Sequence, residues 1–526
     1  MRLSALAAEV PHMAEGAGDP DVTSITHDSR AARPGSLFAA YPGLKSDGRR
    51  FVADAVARGA VAALGLAPAP ESLAVPYFAV ENPRRAAGLM AALLSGWPSA
   101  RLVTAGVTGT SGKTTTAFLV DRLLAARHGK RGLFGTIVYR GAGGDAAAIL
   151  SPHTTPEATE LQPMLGALVQ DGGTAATLEC SSHALVLERL AGCTFDVALF
   201  LNLSHEHLDF HADMDDYFEA KARLFGLLKP EGRAVVNLGD QYGRRLASRL
   251  VGNKTVGFLL EGEEGTEQTR PAALAGAVAL AAAAAGETGL RATIVGRPAL
   301  GLAGTHLDVE VKAPFTFKEN LLFSINSPLL GRPNAENLLA AAAAGIALGF
   351  SPSEISSSLS SVSVIPGRLE RIENSRGLTV LVDYAHKPAA LEGVLRTVRP
   401  LAAAGGGRVH VVFGCGGDRD KAKRPVMGRI AAQLADDVVV TSDNPRSENP
   451  DTIIAEILGG IPAGTDVAAI ADRRAAIAEA LRRARPGDVV LVAGKGHETE
   501  QVIAGVAHPF DDRATLRTLL AGEAGR

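Results

Sequence analysis

The sequence predicts an α/β protein of three domains: a central P-loop domain built on a doubly wound sheet, a C-terminal Rossmann-like domain and a small N-terminal α/β domain. Three observations carry that expectation. Apolar runs alternate with helical patterns from Arg101 onward, a glycine-rich loop (AGVTGTSGKTTT, Ala105–Thr116) joins one such run to a helix, and the alternation restarts after the turn Ile365-Pro366-Gly367. Strand–helix alternation implies a mostly parallel sheet with helices on both faces. A chain of 526 residues holds about three domains of roughly 100–200 residues each. The expected boundaries are 1–99, 100–362 and 363–526.

The elements follow in order. Residues 1–99 hold short strands and turns (ITHDSRAARPGSLFAAYPG) and close at Trp97-Pro98-Ser99. The central segment offers strands Leu102–Val107, Ala175–Glu179, Val197–Asn202 and Ala234–Asn237, helical patterns over Ala117–Ala126 and Asp215–Leu228, and a strongly helical run Asn334–Gly349. The last segment offers strands Thr379–Val382, Val409–Phe413, Val438–Thr441 and Val489–Ala493. Two such units, each with chemistry at its strand C-terminal ends, suggest a cleft between them.

Composition narrows the class. Hydrophobic content of 46% and charged content of 21% are those of a folded soluble protein. The net charge of −3 leaves no polyanion footprint, so nucleic acid is not an expected partner. Cys180, Cys193 and Cys415 lie far apart without a CxxC pair, which fits a reducing cytoplasm. Glu9 interrupts the first apolar stretch, so no signal peptide is expected. The Ala-rich run Pro271–Gly286 is too short for the roughly 20 apolar residues of a membrane span, and a packing helix is expected there.

The loop after Leu102–Val107 has the chemistry of a phosphate cradle. Free N–H groups at a helix N-terminus face an anion, with Lys113 on the terminal phosphates and the Thr114 hydroxyl on Mg²⁺. The fit to GxxxxGK[ST] is irregular, because the first glycine position is Val107, flanked by Gly106 and Gly109. A plain tight turn would leave Lys113 and the hydroxyl run Thr114–Thr116 without a purpose.

Downstream, His205-Glu206-His207-Leu208-Asp209-Phe210-His211 is dense in metal-ligand types. The spacing of His207 and His211 admits a zinc hydrolase. HExxH is absent, however, and the upstream loop favours Mg²⁺ held by few protein ligands plus phosphates. Glu179 ends a strand at the same sheet edge. Lys221 falls in the middle of an apolar stripe formed by Met214, Tyr217, Phe218, Leu224, Phe225 and Leu228. A buried ammonium must snorkel, pair, lose its proton or be modified. A neutral amine can take up CO₂ as a carbamate, although the residues alone favour snorkelling or pairing.

The segments AGVTGTSGKTTT, LECSSHALVLER, NLSHEHLDFH, FEAKARLF, GRPNAENLLAA, PGRLE, DYAHKP, FGCGGDRDKAKRP, TSDNPRSENP and VAGKGHE occur in the order found in Mur ligases, and from Asp28 to Glu498 the chain resembles that family. The resemblance implies an ATP-dependent amide ligase of peptidoglycan precursor synthesis, monomeric and cytoplasmic. Its expected substrates are UDP-N-acetylmuramoyl-L-alanyl-D-glutamate and meso-2,6-diaminopimelate. The substrate's γ-carboxylate would attack ATP to give an acyl phosphate, and the diamino acid's amine would then displace phosphate.

By the same resemblance Gly109, Thr110, Ser111, Gly112, Lys113, Thr114, Thr115, Asn337, Arg368 and Asp383 contact ATP. Lys113, Glu179, His207 and Lys221 form the catalytic group, and Thr114, Glu179, His207 and a carbamylated Lys221 serve Mg²⁺. Ser29 and Ser46 stand near the uridine diphosphate, and Thr154, Thr155, Ser181 and Arg189 near the muramoyl-dipeptide. Arg419, Asp443, Asn444, Pro445, Arg446, Gly494 and Glu498 form the diaminopimelate pocket. Arg446 can fork onto a second carboxylate that lysine lacks, and Glu498 can take the distal ammonium.

Several positions depart from the family pattern: Lys387 stands for a usual Thr, His153 for Asn and Leu187 for Gln, and His27, Leu44 and Lys45 differ in the uridine region. Glu261–Gly289 is expected to be a lineage-specific elaboration. Two alternatives stay open beside the zinc hydrolase: the same ligation with L-lysine, and a P-loop regulatory NTPase.

Overall fold

The computed structural model describes the chain except residues 12, 16–17, 44–45, 72, 152, 209, 251–253, 262–289, 313–320 and 523–526. The Ala-rich run Pro271–Gly286, the elaboration beyond Glu261, and Leu44 and Lys45 thus lie outside the described residues. Two compact units are present, one of residues 1–296, 309–323 and 337–359, the other of 297–308, 324–336 and 360–526.

In the first unit, β1 (Met13–Glu15), β2 (Ser24–Thr26), β3 (Ser36–Ala39), β4 (Ala60–Gly65) and β5 (Tyr77–Ala79) form a sheet in the order β1-β5-β4-β3-β2. Only β1 runs antiparallel to its neighbour. Leu37, Leu64, Phe78 and Met90 lie in its core.

The P-loop strand β6 (Val103–Thr108) belongs to a second, eleven-stranded sheet. The other strands are β7 (Arg131–Phe134), β8 (Val138–Arg140), β9 (Ile149–Leu150), β10 (Ala175–Glu179), β11 (Phe195–Phe200), β12 (Leu228–Asn237), β13 (Lys254–Leu260), β14 (Leu290–Gly301), β15 (Gly304–Lys312) and β16 (Leu321–Ser327). Their order is β16-β15-β14-β13-β12-β11-β6-β10-β7-β8-β9. β6 pairs in parallel with β10 on one side and β11 on the other. Its end is therefore the switch point at which an open α/β sheet binds ligands. Register places Glu179 opposite Val107 and Phe200 opposite Thr108, so three strand ends reach one edge together.

Several boundaries differ from expectation, three of them around the loop and its flanking helices. The helix after the loop starts at Lys113, not Ala117, because Gly112 supplies the left-handed N-cap (φ 84°). The hydroxyl residues Thr114–Thr116 hide its first turn from an apolar-periodicity reading. β11 stops at Phe200, and Asn202 turns its amide to the P-loop instead. The helix expected over Asp215–Leu228 spans Met214–Ala222, capped by Asp213, and a 3₁₀ turn Arg223–Leu227 swings the chain into β12.

In the second unit, β17 (Glu370–Ile372), β18 (Thr379–Asp383), β19 (Val409–Phe413), β20 (Asp437–Val440), β21 (Val467–Ala469) and β22 (Val489–Ala493) stack in the order β17-β18-β22-β19-β20-β21. All pairs are parallel except β17–β18. β19 and β22 coincide with expectation residue for residue, and both are buried on both faces, β22 as a continuous apolar run. β23 (Glu500–Ile503) and β24 (Val506–Pro509) form a hairpin beyond β22. Among the described residues no helix is long and apolar enough to cross a membrane.

One buried polar cluster ties this second sheet together. His410 lies between two carboxylates, Nδ1 at 3.0 Å from Asp437 Oδ2 and Nε2 at 3.1 Å from Asp488 Oδ2. Burial pushes its pKa down, but the hydrogen bonds to Asp437 and Asp488 outweigh burial and leave it raised. The imidazolium's contribution is thus complete below the unfolded pKa of about 6.5 and is lost as pH rises through the folded value. His410→Gln is expected to flatten the fall of Tm on the alkaline side, checked by thermal melts of both proteins from about pH 6 to pH 9. An identical slope in the two would contradict it.

Candidate active site

The glycine-rich loop is held by the segment that follows β11. Thr110 N–H donates to the Asn202 carbonyl at 3.0 Å, Ser111 N–H to Asn202 Oδ1 at 2.9 Å, and Asn202 Nδ2 returns a bond to the Ser111 carbonyl at 3.2 Å. A Cβ on Gly109 would come within 2.9 Å of the Leu201 side chain, and one on Gly112 would strike Asn337 Oδ1. Asn337 also receives the Thr116 hydroxyl at 3.2 Å, so it lies against the loop. Gly112→Ala combines that clash with a positive φ. It is expected to raise the KM for the nucleotide about tenfold or more and to cost roughly 1–3 kcal/mol of stability; an unchanged KM and Tm would contradict this reading of the loop.

Two ammonium groups converge on one carbonyl. Lys113 Nζ donates to Gly109 O at 2.8 Å and to Thr110 O at 2.8 Å, and Lys221 Nζ donates to the same Gly109 O at 2.8 Å. Lys221 is 1% exposed, with its ammonium 4.6 Å over the Tyr217 ring. Burial first, and then the neighbouring Lys113 charge, pull its pKa well below the ordinary lysine value. Of the two outcomes the residues alone favour, snorkelling or pairing, the amine does not snorkel but pairs with the Gly109 carbonyl. The amine stays in the core beside the phosphate loop.

Glu179 stands against the first turn of the helix that follows the loop. Its carboxylate accepts the Thr114 hydroxyl at 3.0 Å, the Thr136 hydroxyl at 3.0 Å and the Thr136 N–H at 2.8 Å. A Cβ on Gly135 would collide with it. The dipeptide-site candidates follow the same edge. Thr154 Oγ1 lies 3.2 Å from Thr136 Oγ1, and Thr155 donates to the Glu179 carbonyl at 2.7 Å. Ser181 N–H reaches Thr155 Oγ1 at 3.4 Å, and Arg189 donates to the Thr155 carbonyl at 2.9 Å. Thr115 is buried in the first helical turn behind Thr114.

The histidine-rich segment divides. His211 is buried, with Nε2 at 3.0 Å from Ser182 Oγ, Nδ1 at 3.2 Å from Asp216 Oδ2, and its ring stacked on Tyr217. That environment makes it a packing residue and removes it from the zinc-ligand pattern His207–His211. His207 stands in the left-handed region (φ 58°), edge-on to His183 and Tyr217 with ring centroids 5.1 and 6.1 Å away. Tyr217 is therefore the common neighbour of His207, Lys221 and Thr110, whose Oγ1 lies 3.2 Å from its hydroxyl.

Ser29 opens a short 3₁₀ turn capped by Asp28, and Ser46 is exposed, its carbonyl accepting Gly43 N–H at 3.2 Å. No hydrogen bond among the described residues joins either serine to the phosphate loop.

The second unit gathers the remaining candidates. Asp383 ends β18, its carboxylate accepting Leu369 N–H at 2.8 Å and Ala385 N–H at 2.9 Å. Burial pushes its pKa up. Arg368 lies 5.1 Å over the Tyr384 ring. In the loop after β20, Asp443 is buried, with Oδ1 accepting Asn444 N–H at 2.7 Å and Oδ2 without a hydrogen-bond partner. Asn444 Nδ2 donates to Glu498 Oε2 at 2.8 Å. Arg446 (φ 52°) donates to the Gly417 carbonyl at 2.8 Å. Arg419 is exposed on the adjoining loop, and Pro445 carries the turn between Asn444 and Arg446. Asp443, Asn444, Arg446, Gly494 and Glu498 thus meet within one cluster.

Sequence reasoning missed four contributors. Thr136 binds Glu179 twice, and Asn202 anchors the loop. Glu157 holds Arg189 and Arg84, each at 2.9 Å. Lys495 is wholly buried and donates to Glu498 Oε2 at 3.0 Å and to Asn444 Oδ1 at 3.3 Å. The one available signal was Asn202, a polar residue directly after an apolar strand.

Comparison with known proteins places the chain in a family. Residues 107–345 match the Mur ligase middle domain, 367–496 the Mur ligase glutamate ligase domain and 21–95 the Mur ligase family catalytic domain. A UDP-N-acetylmuramoyl-L-alanyl-D-glutamate–2,6-diaminopimelate ligase of Solibacter usitatus is 42% identical over 506 residues, covering 95% of this chain and 94% of the relative. The protein of the same name from Streptomyces avermitilis is 44% identical over 513 residues, covering 95% and 92%. A solved structure of a ligase of that name is 32% identical with a TM-score of 0.64, covering 96% of this chain and 95% of the other. The chain belongs to the Mur ligase family.

Proposed function

We propose that this ligase joins meso-2,6-diaminopimelate to the D-Glu γ-carboxylate of UDP-N-acetylmuramoyl-L-alanyl-D-glutamate at the expense of ATP. The observation that carries the reading is the cluster around Asp443. A buried carboxylate oxygen without a partner, a second carboxylate on Glu498 and a guanidinium on Arg446 offer acceptors for an ammonium and a fork for a carboxylate. A diamino dicarboxylic acid supplies both groups. L-Lysine supplies only the first. The relatives named above, alike over nearly the whole chain, support the same substrate.

The chemistry needs little covalent help from the protein. The γ-carboxylate oxygen attacks the terminal phosphorus of ATP, the bond to ADP breaks, and an acyl phosphate results. The amine then attacks the acyl carbon, loses a proton, and phosphate leaves with the former carboxylate oxygen. Each partner of the first step is anionic, so positioning and charge neutralisation dominate. Lys113 exchanges its two carbonyl acceptors for the terminal phosphates, and Asn337, with Arg368 and Asp383, contacts the nucleotide. Thr154, Thr155, Ser181 and Arg189 hold the dipeptide. Ser29 and Ser46 face the uridine diphosphate, within proposed domains 1–99, 100–362 and 363–526.

Hard oxygen donors suit Mg²⁺, and the hydroxyl of Thr114 beside the carboxylate of Glu179 is such a set. His207 and Lys221 would serve a second Mg²⁺ and the acyl phosphate once the buried amine adds CO₂, forming an N–C bond and releasing a proton. Mg²⁺ held by these residues would neutralise phosphate charge. The carbamate turns a costly buried cation into an anion, which accounts for a lysine at that place in the core.

The test is product identification. Incubation with ATP, the UDP-dipeptide and meso-diaminopimelate is expected to yield a nucleotide product heavier by one diaminopimelyl residue in the mass spectrum. Absence of that mass, with a lysyl product formed when L-lysine is offered in place of diaminopimelate, would move the reading to the L-lysine ligase.

A further inference from the structure

Behind the Asp443 cluster lies an ion pair that none of the chemistry above uses. Arg473, the first residue of the helix Arg473–Arg483, and Asp512, the first of the helix Asp512–Gly522, are both fully buried. The pair is bidentate, Nε to Oδ1 and Nη2 to Oδ2, each at 2.7 Å. The guanidinium has donors left over. Nη2 also donates to the Ala493 carbonyl at 3.0 Å, and Nη1 donates to the Ser442 carbonyl at 3.3 Å.

Those two carbonyls belong to the residues directly before Gly494 and Asp443. The end of β22 and the end of β20 are thus fastened to one planar, rigid group. Gly494 (φ 119°) shows how close the parts come: a Cβ there would lie 2.5 Å from Asp443 Oδ2 and 3.9 Å from Arg473 Nη2. Any drift between the two strand ends would move the unpartnered Asp443 oxygen relative to Gly494 and Glu498. A buried ion pair is weak evidence of stability, since apolar residues of like volume often serve as well. Its place under two loops of one pocket calls for another reason.

We infer that the Arg473–Asp512 pair is the positioning element of the amino-acid pocket, setting the separation of the Asp443 loop and the Gly494 turn and thereby the affinity for the incoming diamino acid. This rests on the proposed function. Neither residue touches the substrate. Both act through the backbone of the residues that do.

The experiment measures KM for each of the three substrates and kcat in the full chain, for wild type, Arg473→Lys and the double variant Arg473→Met/Asp512→Leu. The double variant removes both charges together, so that neither is left buried alone. Expected is a rise of about tenfold or more in KM for meso-diaminopimelate, with KM for ATP and for the UDP-dipeptide within about twofold of wild type. An unchanged KM for diaminopimelate in the folded variants overturns the inference, and so does an equal rise in all three KM values alongside a lower Tm, the mark of a purely structural pair. If the double variant does not fold, the near-isosteric Asp512→Asn is read by the same split. Failure of the wild type to use diaminopimelate would instead sink the proposed function.

Discussion

Replacing Lys221 with alanine is expected to lower kcat about a hundredfold or more, with little loss of Tm. The reasons are local. The amine is 1% exposed, shares the Gly109 carbonyl with Lys113, and is driven toward its neutral form by burial and then by that neighbouring charge. As an ammonium it would repel the Lys113 charge needed at the phosphates. As a carbamate it attracts it. Formate or acetate added to the alanine variant is expected to restore part of the rate by filling the vacated space with a carboxylate. Wild-type protein equilibrated with ¹³C-bicarbonate should show a carbamate carbon that Lys221→Ala lacks. No such signal, together with full activity in CO₂-free buffer, would remove the carbamate from the account.

Arg446→Ala is expected to raise KM for meso-diaminopimelate by a factor that corresponds to about 2–5 kcal/mol, the cost of truncating one side of a buried charged hydrogen-bonded pair. Its left-handed backbone and the bond from its N–H to the Val502 carbonyl at 2.9 Å fix where the side chain departs. The bond of its guanidinium to Gly417 holds it beside the pocket. Activity with L-lysine, which lacks the second carboxylate, should change far less, so the ratio of kcat/KM values for the two amino acids is the quantity to measure. An unaltered ratio would place the second carboxylate elsewhere.

Much of this was legible in the sequence because it was local. The phosphate loop is a contiguous string between a strand and a helix, and Val489–Ala493 reads as a buried strand because it is an unbroken apolar run, while Val409–Phe413 is broken only by His410. Lys221 betrayed itself by interrupting a helical stripe. The reading went only as far as the contradiction, and the Gly109 carbonyl that receives the ammonium lies 112 residues away. The unread parts share that character. Thr136 and Glu179 meet across 43 residues, and Arg473 and Asp512 across 39. A threonine after a strand and an arginine at a helix start carry no pattern that separates them from surface residues. His211 misled for the opposite reason: its spacing from His207 suits a metal, while its bonds to Ser182 and Asp216 make it part of the core.

The central claim is that one chain couples ATP cleavage to the joining of a UDP-dipeptide and a diamino dicarboxylic acid. Phosphate release tests it most directly, with each substrate withheld in turn and L-lysine offered in place of meso-diaminopimelate. The account predicts phosphate release only when ATP, UDP-N-acetylmuramoyl-L-alanyl-D-glutamate and meso-diaminopimelate are all present, with lysine a poor substitute. Steady phosphate release from ATP alone, unaffected by either of the other two, would contradict it and point to a regulatory NTPase.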